Sequence, residues 1–335
     1  MPADPNQLKI AQQIGRQEIA FCLDRAKGSS KVYFGASDGK AYELDLGVEK
    51  PEAVPLEGHE GFVTGIAVCE KVLITGAYDG QLIWRDLTTR EIIRKLPAHQ
   101  KWIRKIAASP DLKLIASVAD DMKCHLWNVE TGELVRTLEG HQPLTPQHYP
   151  SMLFAAVFSA DGQYLATADK VGHIVVWEVA SGNQLAALEA PLMYTWDPNH
   201  RRHSIGGIRS LAFSADGMLL ATGGTGQIGN VDHLEALARI EIFDWKKGER
   251  THEFPGDEVK GLVEFMAFQP EGNWLVAVGG DHGGFVKFID LKEKKIIKQI
   301  TAPGHIFDAR LNDTQDALYI AAFNNLLVCE FKAAV

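Results

Sequence analysis

A dipeptide of one small residue and histidine recurs along this chain. It occurs as Gly58-His59, Ala98-His99, Gly140-His141 and Gly304-His305. The first three histidines follow one another at intervals of 40 and 42 residues. Short runs of alternating apolar and polar residues fill each interval, and Gly, Asp, Asn or Pro bounds them. A period of about 40 residues with this pattern is typical of a β-propeller whose blades have four strands.

The number of blades follows from counting equivalent runs. Seven runs occupy the place of the second strand of a blade: Val32–Phe34, Val72–Thr75, Leu114–Ser117, Tyr164–Thr167, Leu219–Thr222, Trp274–Val278 and Ala317–Ala321. Each is followed by a turn and a third run: Ala41–Leu46, Gln81–Leu87, Cys124–Val129, Ile174–Val179, Arg239–Trp245, Phe285–Leu291 and Leu326–Phe331. The sequence therefore predicts an all-β fold, a seven-bladed β-propeller with four-stranded antiparallel blades.

The two ends of the chain complement each other. The last repeat stops after its third strand, near Phe331, whereas an additional apolar run, Leu8–Ile14, precedes the first repeat. We expect this N-terminal strand to complete the last blade and close the ring, because an unpaired strand edge invites aggregation. The predicted organisation is a flexible tail over residues 1–7 and a single propeller over residues 8–335.

Charge and cysteine usage limit the classes of function. The formal net charge of −9 argues against nucleic acid as a partner, because phosphate contacts need a basic surface. We find neither a signal peptide nor an apolar stretch long enough to span a bilayer. The four cysteines lie in apolar runs without C-x-x-C spacing, which indicates buried thiols in a reducing compartment. We therefore expect a soluble cytoplasmic protein without a membrane partner or a cofactor.

The third repeat carries a family resemblance. Residues 98–138 read AHQKWIRKIAASPDLKLIASVADDMKCHLWNVETGELVRTL, and this pattern resembles the WD-repeat (G-beta-like) β-propeller family. The resemblance covers nearly the whole chain. It implies a buried structural relay of hydrogen bonds formed by His99, Ser117, Asp121 and Trp127, and it implies that the narrow top face of the ring binds proteins or peptides.

Other repeats depart from this pattern. The second repeat keeps three relay positions but has Arg85 where Trp is expected, with Trp84 one place early: His59, Thr75 and Asp79. The fourth repeat also keeps three, with Val171 in place of the aspartate: His141, Thr167 and Trp177. The first, fifth, sixth and seventh repeats lack most members, so we expect those blades to depend more on packing.

Two motifs that are suggestive of catalysis or cofactor binding have simpler explanations. His99, Ser117 and Asp121 could form a hydrolase triad, but their recurrence at repeat positions favours the structural relay. Gly224–Gly229 matches G-x-G-x-x-G, but the chain shows no βαβ alternation. We interpret these glycines as hinges of a loop between the second and third strands of blade five.

Three insertions are the strongest indication of function. His141 and His305 are 164 residues apart, whereas three blades need only about 123 residues. The additional residues fall mainly in Gln142–Ser151, Pro191–Ser204 and Gly223–Ala238. In the family that this chain resembles, all three loops would emerge on the top face, so we expect them to share one rim on blades four and five. Long loops on a rigid scaffold commonly carry function.

The second insertion combines aromatic and basic residues, a composition typical of interface hot spots. Its candidate partner-binding residues are Trp196, His200, Arg201, Arg202 and His203. The alternative is that Tyr194 and Trp196 fold inward and only anchor the loop. A metal site is a further alternative, although a loop does not hold such ligands in a fixed geometry: Asp197, His200, His203 and His233.

The family resemblance adds further candidates on the top face: Phe62, Thr64, Tyr78, Trp102, Arg104, Asp120, Leu153, Lys170 and Arg209. Trp102 beside Arg104 is the pair that most favours binding, and the alternative is that Trp102 only covers the neighbouring blade. The sequence thus predicts a non-catalytic scaffold that docks a protein or peptide with acidic groups. Two alternatives remain, a metal-supported or enzymatic site on the same face and a structural subunit of a larger complex. The oligomeric state is left open.

Overall fold

The strands of the chain form blades around a central channel. The structure is a computed structural model that describes residues 3–198, 203–229, 236–256 and 259–333. Within these ranges the strands make seven four-stranded antiparallel sheets and one two-stranded hairpin. Short 3₁₀ turns occur at Pro5–Gln7 and Pro191–Met193, and none of the described residues belongs to a helix able to cross a membrane. The fold is the seven-bladed propeller predicted from the repeats.

Each blade runs from an inner strand at the channel to an outer strand at the rim. The first three blades contain, in that order, β2 Ala20–Arg25, β3 Lys31–Ala36, β4 Ala41–Asp45 and β5 Val54–Leu56; β6 Val63–Cys69, β7 Val72–Ala77, β8 Gln81–Asp86 and β9 Ile92–Pro97; β10 Ile103–Ala108, β11 Leu114–Ala119, β12 Cys124–Asn128 and β13 Leu134–Leu138. Blades 4 and 5 contain β14 Leu153–Phe158, β15 Tyr164–Asp169, β16 His173–Glu178 and β17 Gln184–Glu189; β20 Ile208–Phe213, β21 Leu219–Thr225, β22 Ala238–Asp244 and β23 Glu249–Phe254. Blades 6 and 7 contain β24 Leu262–Phe268, β25 Trp274–Gly280, β26 Gly284–Asp290 and β27 Lys295–Ala302; β28 Ile306–Leu311, β29 Ala317–Ala322, β30 Asn325–Glu330 and, as the outer strand, β1 Lys9–Gly15. The hairpin between blades 4 and 5 pairs β18 Tyr194–Asp197 with β19 His203–Gly206.

The ring is closed by the N-terminal strand, as the sequence predicts. β1 pairs with β30 from Lys9 opposite Glu330 to Gly15 opposite Asn325. Leu8 packs into the core between blades 6 and 7. The residues just before it also contact the last blade, since the Asp4 amide donates to the Phe331 carbonyl at 2.7 Å.

The hydrophobic core consists of separate clusters that lie between neighbouring blades. The cluster between blades 2 and 3 includes Trp84 and Trp127, whose ring centroids are 6.4 Å apart. Trp84 is fully buried and donates its Nε1 hydrogen to the Val129 carbonyl at 3.0 Å. In blade 2, therefore, the tryptophan packs against the next blade, and Arg85 donates to the backbone carbonyls of Arg90 and Glu57.

Blade 3 contains the complete hydrogen-bond relay. His99 Nδ1 lies 3.1 Å from both carboxylate oxygens of Asp121, and its Nε2 lies 2.8 Å from Ser117 Oγ. Trp127 donates to the same Oγ at 2.9 Å. Burial acts to raise the pKa of the Asp121 carboxyl, but the hydrogen bond from His99 holds that pKa below its ordinary value.

Blade 4 also contains a complete relay, so the expectation that Val171 interrupts it is wrong. The carboxylate comes from Asp169, the last residue of β15, whose Oδ2 lies 2.9 Å from His141 Nδ1. Thr167 Oγ1 lies 2.8 Å from His141 Nε2 and accepts from Trp177 at 2.9 Å. The other oxygen of Asp169 accepts the Val171 amide hydrogen, so this carboxylate also caps the turn.

Two of the repeats in which we expect no complete relay have other arrangements. His305 lies directly before β28, whereas His59 and His99 lie four residues before their inner strands, so His305 is not the relay histidine of blade 7. Blade 5 replaces the relay with ion pairs around Glu241, which is fully buried between Arg239 at 2.7 Å and Arg250 at 3.0 Å. This blade therefore depends on a charged network as well as on packing.

Candidate binding face around the central channel

Every inner strand has a β-bulge near its start, at its second residue in six strands and at its third residue in β24. The register of all seven inner strands shifts at this position, which leaves one residue unpaired in each blade: Phe21, Thr64, Arg104, Phe154, Arg209, Glu264 and Phe307. A bulge redirects the side chain of the additional residue. All seven bulge residues line one cavity of about 320 Å³ at the end of the channel where the inner strands begin. We call this cavity the channel mouth.

A second ring surrounds the channel mouth. In blades 2, 3 and 4, the residue before the inner strand accepts a hydrogen bond from the residue after the second strand. The amides of Tyr78, Asp120 and Lys170 donate to the carbonyls of Phe62, Trp102 and Met152, at 3.0, 3.0 and 2.9 Å. The candidate binding residues of these three blades therefore lie at the same height along the channel axis. Leu153 does not belong there, because it is fully buried and its neighbours Met152 and Phe154 occupy the two face positions.

Aromatic side chains form a continuous series from blade 7 to blade 3, which we call the aromatic arc: Phe307, Phe21, Phe62, Tyr78 and Trp102. The successive ring centroids are 5.1, 5.4, 5.5 and 4.4 Å apart. Phe62 is 43% exposed and Trp102 is 49% exposed. The arc thus offers aromatic surface to solvent on residues that their neighbours already hold in place.

Trp102 covers Tyr78 of the neighbouring blade and still leaves surface available to a partner. Its ring stacks on Tyr78 of blade 2 at an interplanar angle of 3°, which accounts for one face of the indole. About half of the residue stays exposed, beside a second cavity of about 350 Å³ that Tyr78 and Asp120 also line. An exposed tryptophan with a fixed ring plane has the properties of an interface anchor.

Arg104 fixes the arc in place. Its guanidinium makes two hydrogen bonds to the Asp120 carboxylate, at 2.7 and 2.6 Å, and a third to Tyr78 Oη at 2.7 Å. It also lies 5.3 Å from the centroid of the Trp102 ring. Because Asp120 already neutralises it, Arg104 does not fit the expected role of a free cation for a partner's carboxylate.

Two other cations lack such a partner. Arg209 lies over the Phe154 ring, 3.4 Å from its centroid, and Lys170 is only 9% exposed. Among the described residues, no carboxylate forms an ion pair with either side chain. Burial, followed by the charge of Arg209, lowers the pKa of Lys170. Burial likewise lowers the pKa of Arg209. We call these two residues the cation pair.

Beneath the channel mouth, an ion-pair network crosses the channel. Lys105 of blade 3 extends to Asp308 of blade 7, with 3.0 Å between Nζ and Oδ1. Arg310 contacts the same oxygen at 3.0 Å and Asp24 at 3.3 Å. Lys105 lines both the channel mouth and a larger cavity of about 860 Å³ below it, so this network forms the floor of the channel mouth.

The three insertions contact one another and form a wall beside the cation pair. We define the loop wall as the described residues of three stretches, namely 139–152, 190–198 with 203–207, and 226–229 with 236–237. Tyr194 donates to Gln147 Oε1 at 2.5 Å, and the Ile228 amide donates to Thr195 Oγ1 at 2.9 Å. The second insertion is a hairpin leading into β20, and the third follows β21, whose Gly224 pairs with Ile208 at the start of β20. All three insertions therefore lie at the end of the channel where Trp102 lies.

The loop wall partly supports each interpretation of the second insertion. Met193 is fully buried and Tyr194 bonds the first insertion, so this segment is anchored. Trp196 contacts Tyr149, which is 37% exposed, at 5.1 Å between ring centroids, and Trp196 itself stays partly exposed. Several candidates lie outside the described residues: His200, Arg201, Arg202 and His233. His203 is described only through its backbone, which pairs with Asp197. Within the described ranges, no three His, Cys, Asp or Glu residues lie close enough to hold a metal.

Sequence reasoning missed half of the channel mouth, although a signal was present. Phe21, Phe154, Glu264 and Phe307 occupy the same bulge position as Thr64, Arg104 and Arg209. In each repeat this residue follows the first buried residue of the inner strand, for example Arg104 after Ile103 and Phe154 after Leu153. Aligning the repeats on that buried residue would have found all seven.

Comparison with known proteins agrees with the fold. Residues 90–128 and 196–228 match the family described as WD domain, G-beta repeat. The chain is 25% identical to telomerase protein component 1 of Mus musculus over 274 residues, 82% of this chain and 9% of that protein. It is 32% identical to protein transport protein SEC13-1 of Candida glabrata over 114 residues, 31% of this chain and 37% of that protein. It is 24% identical to eukaryotic translation initiation factor 3 subunit I of Candida albicans over 213 residues, 63% of this chain and 54% of that protein. The chain spans between about a tenth and about half of the length of these relatives.

Proposed function

Because this chain belongs to the WD-repeat β-propeller family, we propose that it is a non-catalytic scaffold that docks a segment of a protein partner on its top face. The observation that carries the proposal is the aromatic arc, which ends at a half-exposed Trp102 stacked on Tyr78. Burying such a tryptophan contributes much of the binding energy in many interfaces. The names of two relatives contain the words "component" and "subunit", which supports a role within assemblies.

The arc is suited to binding with little rearrangement. Arg104 ties Tyr78, Trp102 and Asp120 together, so these side chains lose little conformational freedom when a partner covers them. Preorganisation of this kind lowers the entropic cost of association. The histidines of the relays are buried and bonded inside the blades, where they cannot reach a substrate, and this supports a non-catalytic role.

The partner segment that we propose is acidic. The chain carries a formal net charge of −9, yet the cations Arg104, Lys170 and Arg209 gather at one side of the channel mouth. Asp120 is the carboxylate that neutralises Arg104. A cationic area on an acidic protein attracts an acidic segment and orients it as it approaches.

The test uses affinity capture from a lysate followed by measurement with the purified partner. Trp102→Ala should lose the proteins that the wild type captures and weaken the Kd of the purified partner by at least about tenfold. Met218→Ala is the control, because Met218 is equally exposed in the turn between β20 and β21 at the opposite end of the ring. Equal capture by wild type and Trp102→Ala, at equal thermal stability, would overturn the proposal.

A second candidate role, as a structural subunit, is favoured by the outer strands of blades 2, 3 and 4. Their exposed apolar residues are between 44% and 49% exposed and form a belt: Ile92, Ile93, Leu134, Val135 and Leu185. Lateral assembly through this belt predicts that Ile93→Lys with Val135→Lys removes the chain from large complexes in native fractionation. In this role, Trp102→Ala would leave the fractionation unchanged. The docking role predicts instead that Trp102→Ala removes the chain from large complexes and that the two lysine substitutions do not.

A further inference from the structure

We infer that the cation pair, Lys170 and Arg209, is a subsite for the side-chain carboxylate of one Asp or Glu within the docked segment. This inference rests on the docking function proposed above and deepens it. It names the chemical group that the partner places at the channel mouth, and it assigns that group to two residues of blades 4 and 5.

The cation pair differs from the other cations of the channel because no carboxylate of the described residues lies within ion-pair distance of it; Glu264 and Asp120 act on it only from farther away. Arg104 is paired with Asp120, and both Lys105 and Arg310 are paired with Asp308. Arg209 instead lies over the Phe154 ring and lines the channel mouth, and Lys170 is only 9% exposed. A largely buried cation without a counterion is costly, and a carboxylate placed between the two would remove this cost through charge-assisted hydrogen bonds.

The backbone brings blades 4 and 5 close together beside the cation pair. Gly207 adopts φ +107°, and a Cβ built there would lie 2.8 Å from Lys170 Cα and 3.1 Å from Phe154 Cε2. Only glycine fits both the φ angle and the close approach. Gly207, two residues before Arg209, therefore lies directly against the backbone of Lys170, the residue that follows the second strand of blade 4.

The charge count favours a single carboxylate. Of the two carboxylates that act on Lys170 and Arg209, Asp120 forms an ion pair with Arg104, and Glu264 lies 3.3 Å from His305. The cation pair can therefore accept the single negative charge of an Asp or Glu side chain. A phosphate, with a charge near −2 at pH 7, would exceed it.

The surroundings favour an internal side chain over a C-terminal carboxylate. The aromatic arc lies on one side of the cation pair, over blades 7 to 3, and the loop wall lies on the other side. A segment that contacts both surfaces passes over the cation pair in its middle. The mouth has a volume of about 320 Å³ and the Lys105–Asp308 ion pair beneath it, so it has room for a side chain.

The test is selection from a random peptide library displayed on phage, with each peptide joined to the coat protein through its C-terminus. The wild type should enrich peptides with a shared Asp or Glu near an aromatic or large apolar residue. The variant Lys170→Met/Arg209→Met should enrich peptides that keep the apolar position and lose the acidic one. Trp102→Ala should enrich no shared motif, and Met218→Ala should behave as the wild type.

A synthetic peptide from the wild-type selection then measures the coupling between the acidic side chain of the peptide and the cation pair. Its Asp→Asn or Glu→Gln version should bind the wild type at least about tenfold more weakly and bind Lys170→Met/Arg209→Met with nearly unchanged Kd. Amidation of the peptide C-terminus should leave the Kd unchanged. A loss of affinity on amidation would show that the C-terminal carboxylate, and not an internal side chain, occupies the subsite. Thermal unfolding verifies that the double variant folds. If it does not fold, the single variant Arg209→Gln replaces it in these measurements.

The outcomes separate the inference from the function on which it rests. A shared wild-type motif without an acidic residue overturns the carboxylate subsite and leaves docking on the arc intact. A wild type that enriches no motif, together with unchanged partner capture by Trp102→Ala, overturns both. An acidic motif that persists unchanged on Lys170→Met/Arg209→Met overturns the assignment to these two residues.

Discussion

Lys105 and Asp308 form a salt bridge across the channel, 3.0 Å long, although 203 residues separate them in the chain. Asp308 is fully buried, and its second oxygen accepts the Leu23 amide hydrogen at 3.1 Å. Burial acts to raise the pKa of the Asp308 carboxyl, but Arg310 and Lys105 hold that pKa below its ordinary value. One carboxylate thus connects blades 7, 1 and 3.

The first prediction concerns this salt bridge. Lys105→Met should lower the free energy of unfolding by about 1–3 kcal/mol, because Asp308 keeps only Arg310 as a cationic partner. Urea unfolding of Lys105→Met, Asp308→Asn and the double variant should give a coupling energy of about 0.5–3 kcal/mol. Lys113→Met is the control, since the side chain of Lys113 is 80% exposed. Strict additivity of the two single variants would contradict the prediction.

The relay of blade 4 gives the second prediction. Asp169→Ala should cost about 1–3 kcal/mol of stability, because His141 and the turn amides lose a buried acceptor. Val171→Ala, at the position where the family pattern places the aspartate, should cost only about 0.5 kcal/mol or less. Chemical unfolding of both variants measures this difference. Equal effects of the two substitutions would argue against Asp169 as the relay carboxylate.

The third prediction concerns pH. His125 stacks on His99, with ring centroids 4.3 Å apart, and its Nδ1 lies 3.0 Å from the Ala98 carbonyl. Burial first, and then the charge of His99, lowers the pKa of His125 to about 4. The unfolded chain binds this proton near pH 6.5, so the stability that neutral His125 contributes is present above pH 6.5 and is lost as pH falls toward 4.

His125→Gln should therefore flatten the profile of unfolding free energy between pH 6.5 and 4 by at most about 3 kcal/mol. His282→Gln provides the control, because the side chain of His282 is 95% exposed. Thermal or urea unfolding at several pH values measures the difference from the wild type. A His125→Gln profile parallel to that of the wild type would refute the argument.

The fourth prediction concerns the loop wall. Tyr194→Phe removes the hydroxyl that donates to Gln147 and should weaken the contact between the first and second insertions by about 1 kcal/mol. Limited proteolysis should then cut residues 142–151 faster, while global unfolding changes little. Tyr319→Phe, on β29 of blade 7, is the control. Unchanged cleavage in Tyr194→Phe would show that this hydrogen bond does not hold the two insertions together.

Strand number and ring closure could be predicted from the sequence because they depend on periodicity. The alternation of apolar residues marks strands such as Leu114–Ala119, and the additional run before the first repeat finds its place opposite β30. Both features follow from local pattern and from the need to pair every edge.

The details of the candidate site depend on register and could not be predicted in the same way. A bulge shifts the pairing by one residue, so Phe154 reaches the channel mouth and Leu153 is buried. A carboxylate two residues away can serve the same histidine, as Asp169 does. The pairing of Arg104 with Asp120 could not be predicted either, because it depends on how two side chains from different strands are oriented. Aligning the repeats on the first buried residue of each inner strand finds the bulge residues, but patterns of residue type do not carry the side-chain pairings of Asp169 and Arg104.

The pairing of β1 with β30 has a consequence for biosynthesis. The ribosome makes β1 before any blade exists and makes β30 about 300 residues later, so blade 7 cannot obtain its outer strand until nearly all of the chain has emerged. The earlier blades can assemble one after another as their strands emerge, while β1 waits unpaired. The propeller is thus completed when its first strand pairs with its last.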